Sequence, residues 1–241
     1  MKRALISDIH SNHEALTAVL ADIHQQGIER IYCLGDIVGY GPNPRECLQE
    51  MKSVAICILG NHDEAVFAGA DPDGFGSSAL RAVEWTREQL REEDHAFLRG
   101  LPRCYQEQRM LLVHGSPKEP TNEYVLPMDV QNPIKMSDLF DRFDHCCLQG
   151  HTHIPGVFSQ SHFLRPKNIE QGYTFNDDKV MINVGSVGQP RDGDCRACYV
   201  VMDDQQLMFR RVEYDIETTV AKIRRIEELD DSFGERLREG C

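Results

Sequence analysis

The chain contains no run of about 18 apolar residues, so no part of it is built to cross a membrane as a helix. Between Met1-Lys2-Arg3 and Asp8 stand only three clearly apolar residues, Ala4-Leu5-Ile6, too few for a secretory leader, and a cytoplasmic location is the expectation. A disulfide framework is also missing. The nine cysteines are odd in number and scattered, as free thiols in a reducing compartment would be. Basic residues are in deficit: 26 Lys and Arg against 39 Asp and Glu leave a formal charge of −13, which argues against membrane binding and strong nucleic-acid binding. With no repeat, low-complexity tract or linker, the 241 residues are expected to form one domain with a sizeable core.

What is present is one construction, used five times. Ala4-Leu5-Ile6 ends in Ser7-Asp8-Ile9-His10, and Ile31-Tyr32-Cys33-Leu34 ends in Gly35-Asp36. Val54 to Leu59 ends in Gly60-Asn61-His62-Asp63, Met110 to Val113 in His114-Gly115, and Cys146 to Gln149 in Gly150-His151-Thr152-His153. Short apolar runs of this kind read as buried strands, and the glycines beside their ends make loops. Open α/β sheets place their chemistry at the carboxyl ends of strands.

The groups delivered there are Asp8, His10, Asp36, Asn61, His114, His151 and His153. Oxygen and imidazole donors without thiolate suit a first-row divalent cation such as Mn, Fe, Zn or Ni. Seven donors exceed one tetrahedral site but fit two metals sharing a carboxylate, with positions left for water and substrate. In extended chain, residues two apart point to one side, so Asp8 with His10, and His151 with His153, are each expected to reach one metal region. Two such cations would make the pocket locally positive inside an acidic protein.

Taken in order, Asp-Ile-His, Gly-Asp-Ile-Val-Gly-Tyr-Gly-Pro, Gly-Asn-His-Asp, Val-His-Gly and Gly-His-Thr-His resemble the five motifs of the calcineurin-like metallophosphoesterase superfamily, across residues 8 to 153. The resemblance continues through Asn183-Val184-Gly185-Ser186-Val187-Gly188 and is strongest to the small bacterial and archaeal phosphodiesterase-like branch. It implies an α/β fold, a two-sheet β-sandwich flanked by helices in four α/β/β/α layers. It also implies one metal at Asp8, His10 and His153, a second at Asn61, His114 and His151, and Asp36 bridging. Affinity alone favours the late first-row ions, but availability decides occupancy, and manganese is expected ahead of iron, zinc or nickel. A hydroxide between the metals would attack phosphorus in line. Neutral Asn61 keeps such a site more cationic than an aspartate would.

His62 follows a ligand directly and so points elsewhere; it is assigned to hydrogen-bonding the phosphate and protonating the leaving oxygen, with Asp63 holding its tautomer. Asn12 opens a helix whose N-terminus favours anions, so it could reach substrate, although an ordinary N-cap is the plainer account. Arg191 could bind a substrate phosphate or pair with Asp192 or Asp194. Val184 stands where related chains tend to have proline. The Gly35 to Pro42 loop lacks the arginine that flanks this motif in serine/threonine phosphatases. A phosphodiesterase acting on a nucleotide-like or small phosphodiester therefore leads over a phosphomonoesterase or protein-phosphatase-like enzyme. A non-catalytic scaffold or regulator is the rival from another class, and it is weakened because all seven ligands and His62 are present.

Elsewhere the pattern predicts helices over 12–26, 44–51 and 134–143, and a solvated helical insertion at about 71–100 on which Trp85 is a packing anchor. The loop 116–127 leaves the His114 strand near the metals, with Lys118, Glu123 and Tyr124 exposed. From Gly156 the short strands read as a mostly antiparallel second sheet, with hairpin turns at Asn176-Asp177-Asp178 and Asp203-Asp204-Gln205. A helix over 215–229 is expected to pack on the sheet. Cys195-x-x-Cys198 stands alone and carries no metal or redox assignment.

Overall fold

Strands Arg3–Ile6 (β1), Ile31–Cys33 (β2) and Ile56–Cys57 (β3) lie parallel in the computed structural model, which describes residues 1–70 and 74–241. Helices His13–Gln25 (α1) and Pro44–Met51 (α2) make the crossovers. α1 starts where Asn12 stops the strand-end loop: its side-chain oxygen accepts the Ala15 amide at 3.1 Å. Its buried face is Ala15, Leu16, Val19 and Ile23, and each of the larger three contributes about 1.5–3 kcal/mol by leaving water. Next come helices Asn61–Ala68 (α3), Ser77–Gln89 (α4) and Glu92–Arg99 (α5), then strands Cys104–Glu107 (β4) and Met110–Val113 (β5). Helix Pro133–Phe140 (α6) and strand Cys146–Gln149 (β6) follow.

The rest is strands Gly156–Phe158 (β7), Phe163–Leu164 (β8), Tyr173–Thr174 (β9), Val180–Asn183 (β10), Ala197–Met202 (β11) and Gln206–Val212 (β12), closed by helices Ile216–Ile223 (α7) and Ser232–Glu239 (α8). One six-stranded sheet runs β3-β2-β1-β11-β12-β9 and the other β4-β5-β6-β10-β7-β8. Alternation along β1 shows the layering. Leu5 points inward to a core shared with Leu112, Leu148, Ile182 and Val200 of both sheets, while Ala4 and Ile6 pack outward with Leu16 and Val19 of α1. On the far face α6 buries Met136, Leu139 and Phe140 against Val113, Cys147 and Phe158. This is the four-layer α/β/β/α sandwich.

Several expectations are corrected. The strands after Gly156 do not form a second sheet of their own: β9, β11 and β12 join β1, whereas β7, β8 and β10 join β6. β10 runs parallel to β6 and is buried along its length, which is why its unbroken apolar run sits centrally. The Asn176–Asp178 turn therefore passes from one sheet to the other; only Asp203–Gln205 is a hairpin turn, between β11 and β12. α7 stops at Ile223 and lies against α1 and α8. Trp85 is 9% exposed and packs with Ala82, Ile223, Leu229 and Phe233. The start of the loop expected at 71–76 lies outside the described residues.

Candidate metal centre

The loops leaving β1, β2, β3, β5 and β6 meet at one place because glycine lets them. A Cβ on Gly60 would stand 2.1 Å from Asp36 Oδ1, and one on Gly150 would stand 2.4 Å from Asp8 Oδ2. The expected ligands themselves sit in left-handed backbone: Asp8, His10, Asp36, His151 and His153 all have φ between 47° and 65°. Such non-glycine residues are uncommon and cost of order 1–3 kcal/mol each, and they gather at functional sites. The extended-chain expectation holds for Asp8 and His10, which share one triad, and fails for the second pair. His151 and His153 turn to different sides, His153 joining Asp8 and His10, and His151 joining Asp36 and His114.

These two triads are clusters of buried ligand atoms lying within 4.8 Å of one another, and a third cluster of His10, Asp36 and His62 links them. Asn61 Oδ1 is 3.1 Å from His114 Nε2, and Asp36 Oδ2 is 3.3 Å from the same nitrogen. All seven expected ligands thus stand together. Each imidazole is fixed from behind. Nδ1 of His10, His114 and His153 faces the carbonyls of Val38, Leu34 and Gln189 at 3.3, 2.8 and 2.6 Å, which leaves Nε2 turned to the centre. His151 is reversed: its Nε2 faces Asn122 O at 3.0 Å, leaving Nδ1 as the donor atom. Backbone carbonyls behind metal-binding histidines set tautomer and orientation in this way.

The electrostatics fit a cation. His10 Nε2 and His153 Nε2 face each other at 3.0 Å, two lone pairs that need positive charge between them. Burial, helped by neighbouring positive groups, holds His10 well below the usual histidine range, lowers His153 and brings His151 down to about 3, so these rings are neutral and ligand-competent. His114 is the exception: burial opposes its charge, but Asp36 and Asp8 raise it to about 10. Burial likewise opposes ionisation of Asp36, yet His114, His62 and His10 hold it well below the carboxylate range. Asp8 accepts the His151 amide at 3.2 and 3.0 Å, and Asp36 accepts the His62 amide at 2.9 Å. The donor set suits divalent metal: His10, His151 and His153 are neutral, Asp8 and Asp36 are ionised, and a cation would take the place of the proton on His114.

His62 is 4% exposed, and its ring lies 4.9 Å from that of His10, 4.4 Å from Tyr40 and 4.8 Å from Phe75. Burial first, with nearby positive groups, lowers it to about 4. Asp63 does not hold its tautomer. The carboxylate accepts the amides of Val38 and Gly60, each at 3.1 Å, and His62 Nδ1 has no partner among the described residues. The reason is α3, which was not foreseen: Asn61 and His62 are its first residues, and Asp63 is turned back to its start. An acid three residues after Gly60 and ahead of Ala-Val-Phe-Ala was the available signal.

Asn12 caps α1 and also donates to Gly188 O at 2.9 Å and Tyr214 Oη at 3.3 Å, so its amide is engaged within the fold. Arg191 pairs with neither Asp192 nor Asp194, which bond Arg211 and Arg196; it donates to Gln189 Oε1 at 3.0 Å and lies 5.9 Å from the Tyr40 ring centroid. In the 116–127 loop, Tyr124 stacks on His151 at 3.9 Å while remaining 48% exposed, whereas Lys118 pairs with Asp138 and Glu123 accepts from Ser116. Asn183 ties the ligand loop to β10, donating to Gly150 O at 2.6 Å and Thr152 Oγ1 at 2.9 Å. Val184 donates its amide to Gln149 O at 2.9 Å, a bond proline could not make. Sequence reasoning gave no role to Tyr40, Phe75 or Asn183; Phe75 reaches His62 from the insertion, and no local pattern marks that contact.

Among the described residues no helix is long and apolar enough to cross a membrane. An uncharacterized protein of Methanocaldococcus jannaschii is 40% identical over 97% of this chain and 96% of its own length. The crystal structure of a metallophosphoesterase from Sphaerobacter thermophilus matches with a TM-score of 0.86 and 37% identity, covering 100% of this chain and 99% of that one. A symmetrical bis(5'-nucleosyl)-tetraphosphatase of Neisseria gonorrhoeae is 31% identical over 48% of this chain, a match covering 43% of that relative. The model of the calcineurin-like phosphoesterase superfamily domain matches residues 1–206, and the chain belongs to that family of divalent-metal-dependent phosphoesterases.

Proposed function

We propose that the protein is a phosphodiesterase that binds two divalent cations and hydrolyses a nucleotide-like or small phosphodiester. The observation that carries the reading is the pair of buried triads linked by Asp36, with His62 beside the link. Asp8, His10 and His153 would hold one cation and Asn61, His114 and His151 the other, with manganese the first ion to test. Bound there, the cations supply Lewis acidity toward the phosphoryl oxygens and lower the pKa of water.

The polypeptide's own part is positional. His62 is fixed by the hydrogen bond its backbone N–H donates to Asp36 and by Tyr40 and Phe75 around its ring, and it offers a ring N–H to the leaving oxygen. Tyr124, exposed at the rim and stacked on His151, gives the second ester group an apolar face. The matched tetraphosphatase, whose name gives a dinucleoside substrate, supports a nucleotide-like choice. The test is hydrolysis of bis-p-nitrophenyl phosphate and p-nitrophenyl phosphate by metal-stripped protein reconstituted with Mn, Ni or Zn. Release from the diester with little from the monoester is expected. The reverse preference would make it a phosphatase, and no turnover with two metals bound would make it a scaffold or regulator.

A further inference from the structure

Tyr40 has a left-handed backbone, φ 53°, which turns its ring between the metal-binding histidine His10, at 4.7 Å, and Phe233 of α8, at 4.9 Å. Two guanidinium groups lie over this one ring. Arg191 Cζ is 5.9 Å from its centroid, and Arg236 Cζ is 5.4 Å from it and 5.1 Å from that of Phe233. Among the described residues neither arginine forms an ion pair, and Nε of each is buried without a hydrogen-bond partner. The acids around them are committed elsewhere: Asp192 to Arg211, Asp230 to Arg81, and Glu235 to Arg224 and Arg238.

Two like charges gathered on one aromatic ring, each with its Nε–H out of water and unpaired and with no acid opposite, are costly unless an anion completes them. Packing on Tyr40 would account for one arginine, since a cation over a ring is favourable. It does not account for two that repel each other. Guanidinium forks match phosphate oxygens, and Tyr40 places this pair next to the ring of a metal-binding histidine. An anion held there would stand one aromatic ring away from His10.

We propose that Arg236, with Arg191 and Tyr40, forms an anion subsite for the phosphoryl group adjacent to the one at the metal centre, so that the substrate is a nucleoside di- or polyphosphate compound rather than a lone phosphodiester. This rests on the phosphoesterase reading above for its orientation. It makes α8, which carries no family motif, part of the specificity apparatus.

The test is calorimetric binding of α,β-methylene adenosine diphosphate and of adenosine monophosphate to Mn-loaded wild type, Arg236→Gln and Arg191→Gln. Wild type should prefer the diphosphate by about tenfold or more, and each substitution should cut that ratio to about twofold or less. A wild-type ratio near one overturns the subsite, whatever the variants do. So does a wild-type preference that both variants keep. Diester hydrolysis by the same wild-type sample separates the two ideas: turnover with a ratio near one removes the subsite and leaves the phosphoesterase, whereas a tenfold ratio without turnover does the opposite.

Discussion

Replacing Gly60 with alanine isolates the close approach on which the centre depends. The backbone there has φ −96° and ψ 171°, which alanine adopts freely, so any cost comes from the added methyl. That methyl would stand 2.1 Å from Asp36 Oδ1 and 2.2 Å from Asp36 N. Relief needs the two loops to part by roughly 1 Å, and overpacking of this kind costs about 1–3 kcal/mol. The displaced groups are Asp36 and Asn61, one on each side of the contact. Metal affinity should therefore fall by roughly 10- to 100-fold, as for other losses of ligand support. Gly69→Ala is the matched control. Its φ of 97° makes alanine strained, but nothing stands within 4 Å, so about 1–3 kcal/mol of stability should go with metal binding intact. Thermal melts of the stripped proteins and titration with Mn2+ separate the two effects. If Gly60→Ala binds manganese as wild type does, or Gly69→Ala binds it equally badly, the close approach is not what shapes the centre.

The ligands were legible because each stands at the end of a short apolar run, beside a glycine or a second ligand. Pattern and chemistry are local there, and the structure brings all seven together. What was not legible depends on chain passing from one sheet to the other or on the backbone at the site. Asp63 reads as a partner of its neighbour His62, but α3 turns it onto Gly60 and Val38. The strands β9 and β10 read as a hairpin, yet β9 pairs with β12 at the edge of one sheet and β10 lies buried between β6 and β7 in the other. Left-handed φ at Asp8, His10, Asp36, His151 and His153 has only a weak signature in residue type: Asp and His are several-fold enriched there, yet most residues of either type keep negative φ. Phe75 meets His62, and the ring of Tyr40 meets His62, His10 and Arg236, through tertiary packing alone.

His62→Ala should retain both metals and lose most turnover, whereas Asp36→Ala should lose metal; metal stoichiometry and diester hydrolysis measured together check this, and full activity of His62→Ala would end its assignment. Asp94, buried between Arg45 at 3.0 Å and Lys52 at 2.9 Å, ties α5 to α2, and Asp94→Ala should destabilise by about 1–3 kcal/mol in denaturant melts, because charge-assisted hydrogen bonds are lost while both partly exposed cations return to water. Asp22 gives a prediction with a sign. It joins α1 to the sheet by accepting Arg210 through both oxygens at 2.8 Å and Tyr199 Oη at 2.5 Å. The Arg210 hydrogen bonds, and then that of Tyr199, hold its carboxyl below the usual value against burial. A depressed carboxylate contributes stability above its unfolded pKa of about 3.9 and loses it as pH falls through the lower folded value. Asp22→Asn should thus cost about 1–3 kcal/mol at pH 7, and the gap to wild type should narrow once the pH drops below about 4. Urea melts at about pH 7, 5 and 3 would show it. A gap that widens on acidification would mean that Asp22 is held as the neutral acid, and the Arg210 pairing would not be what joins α1 to β12.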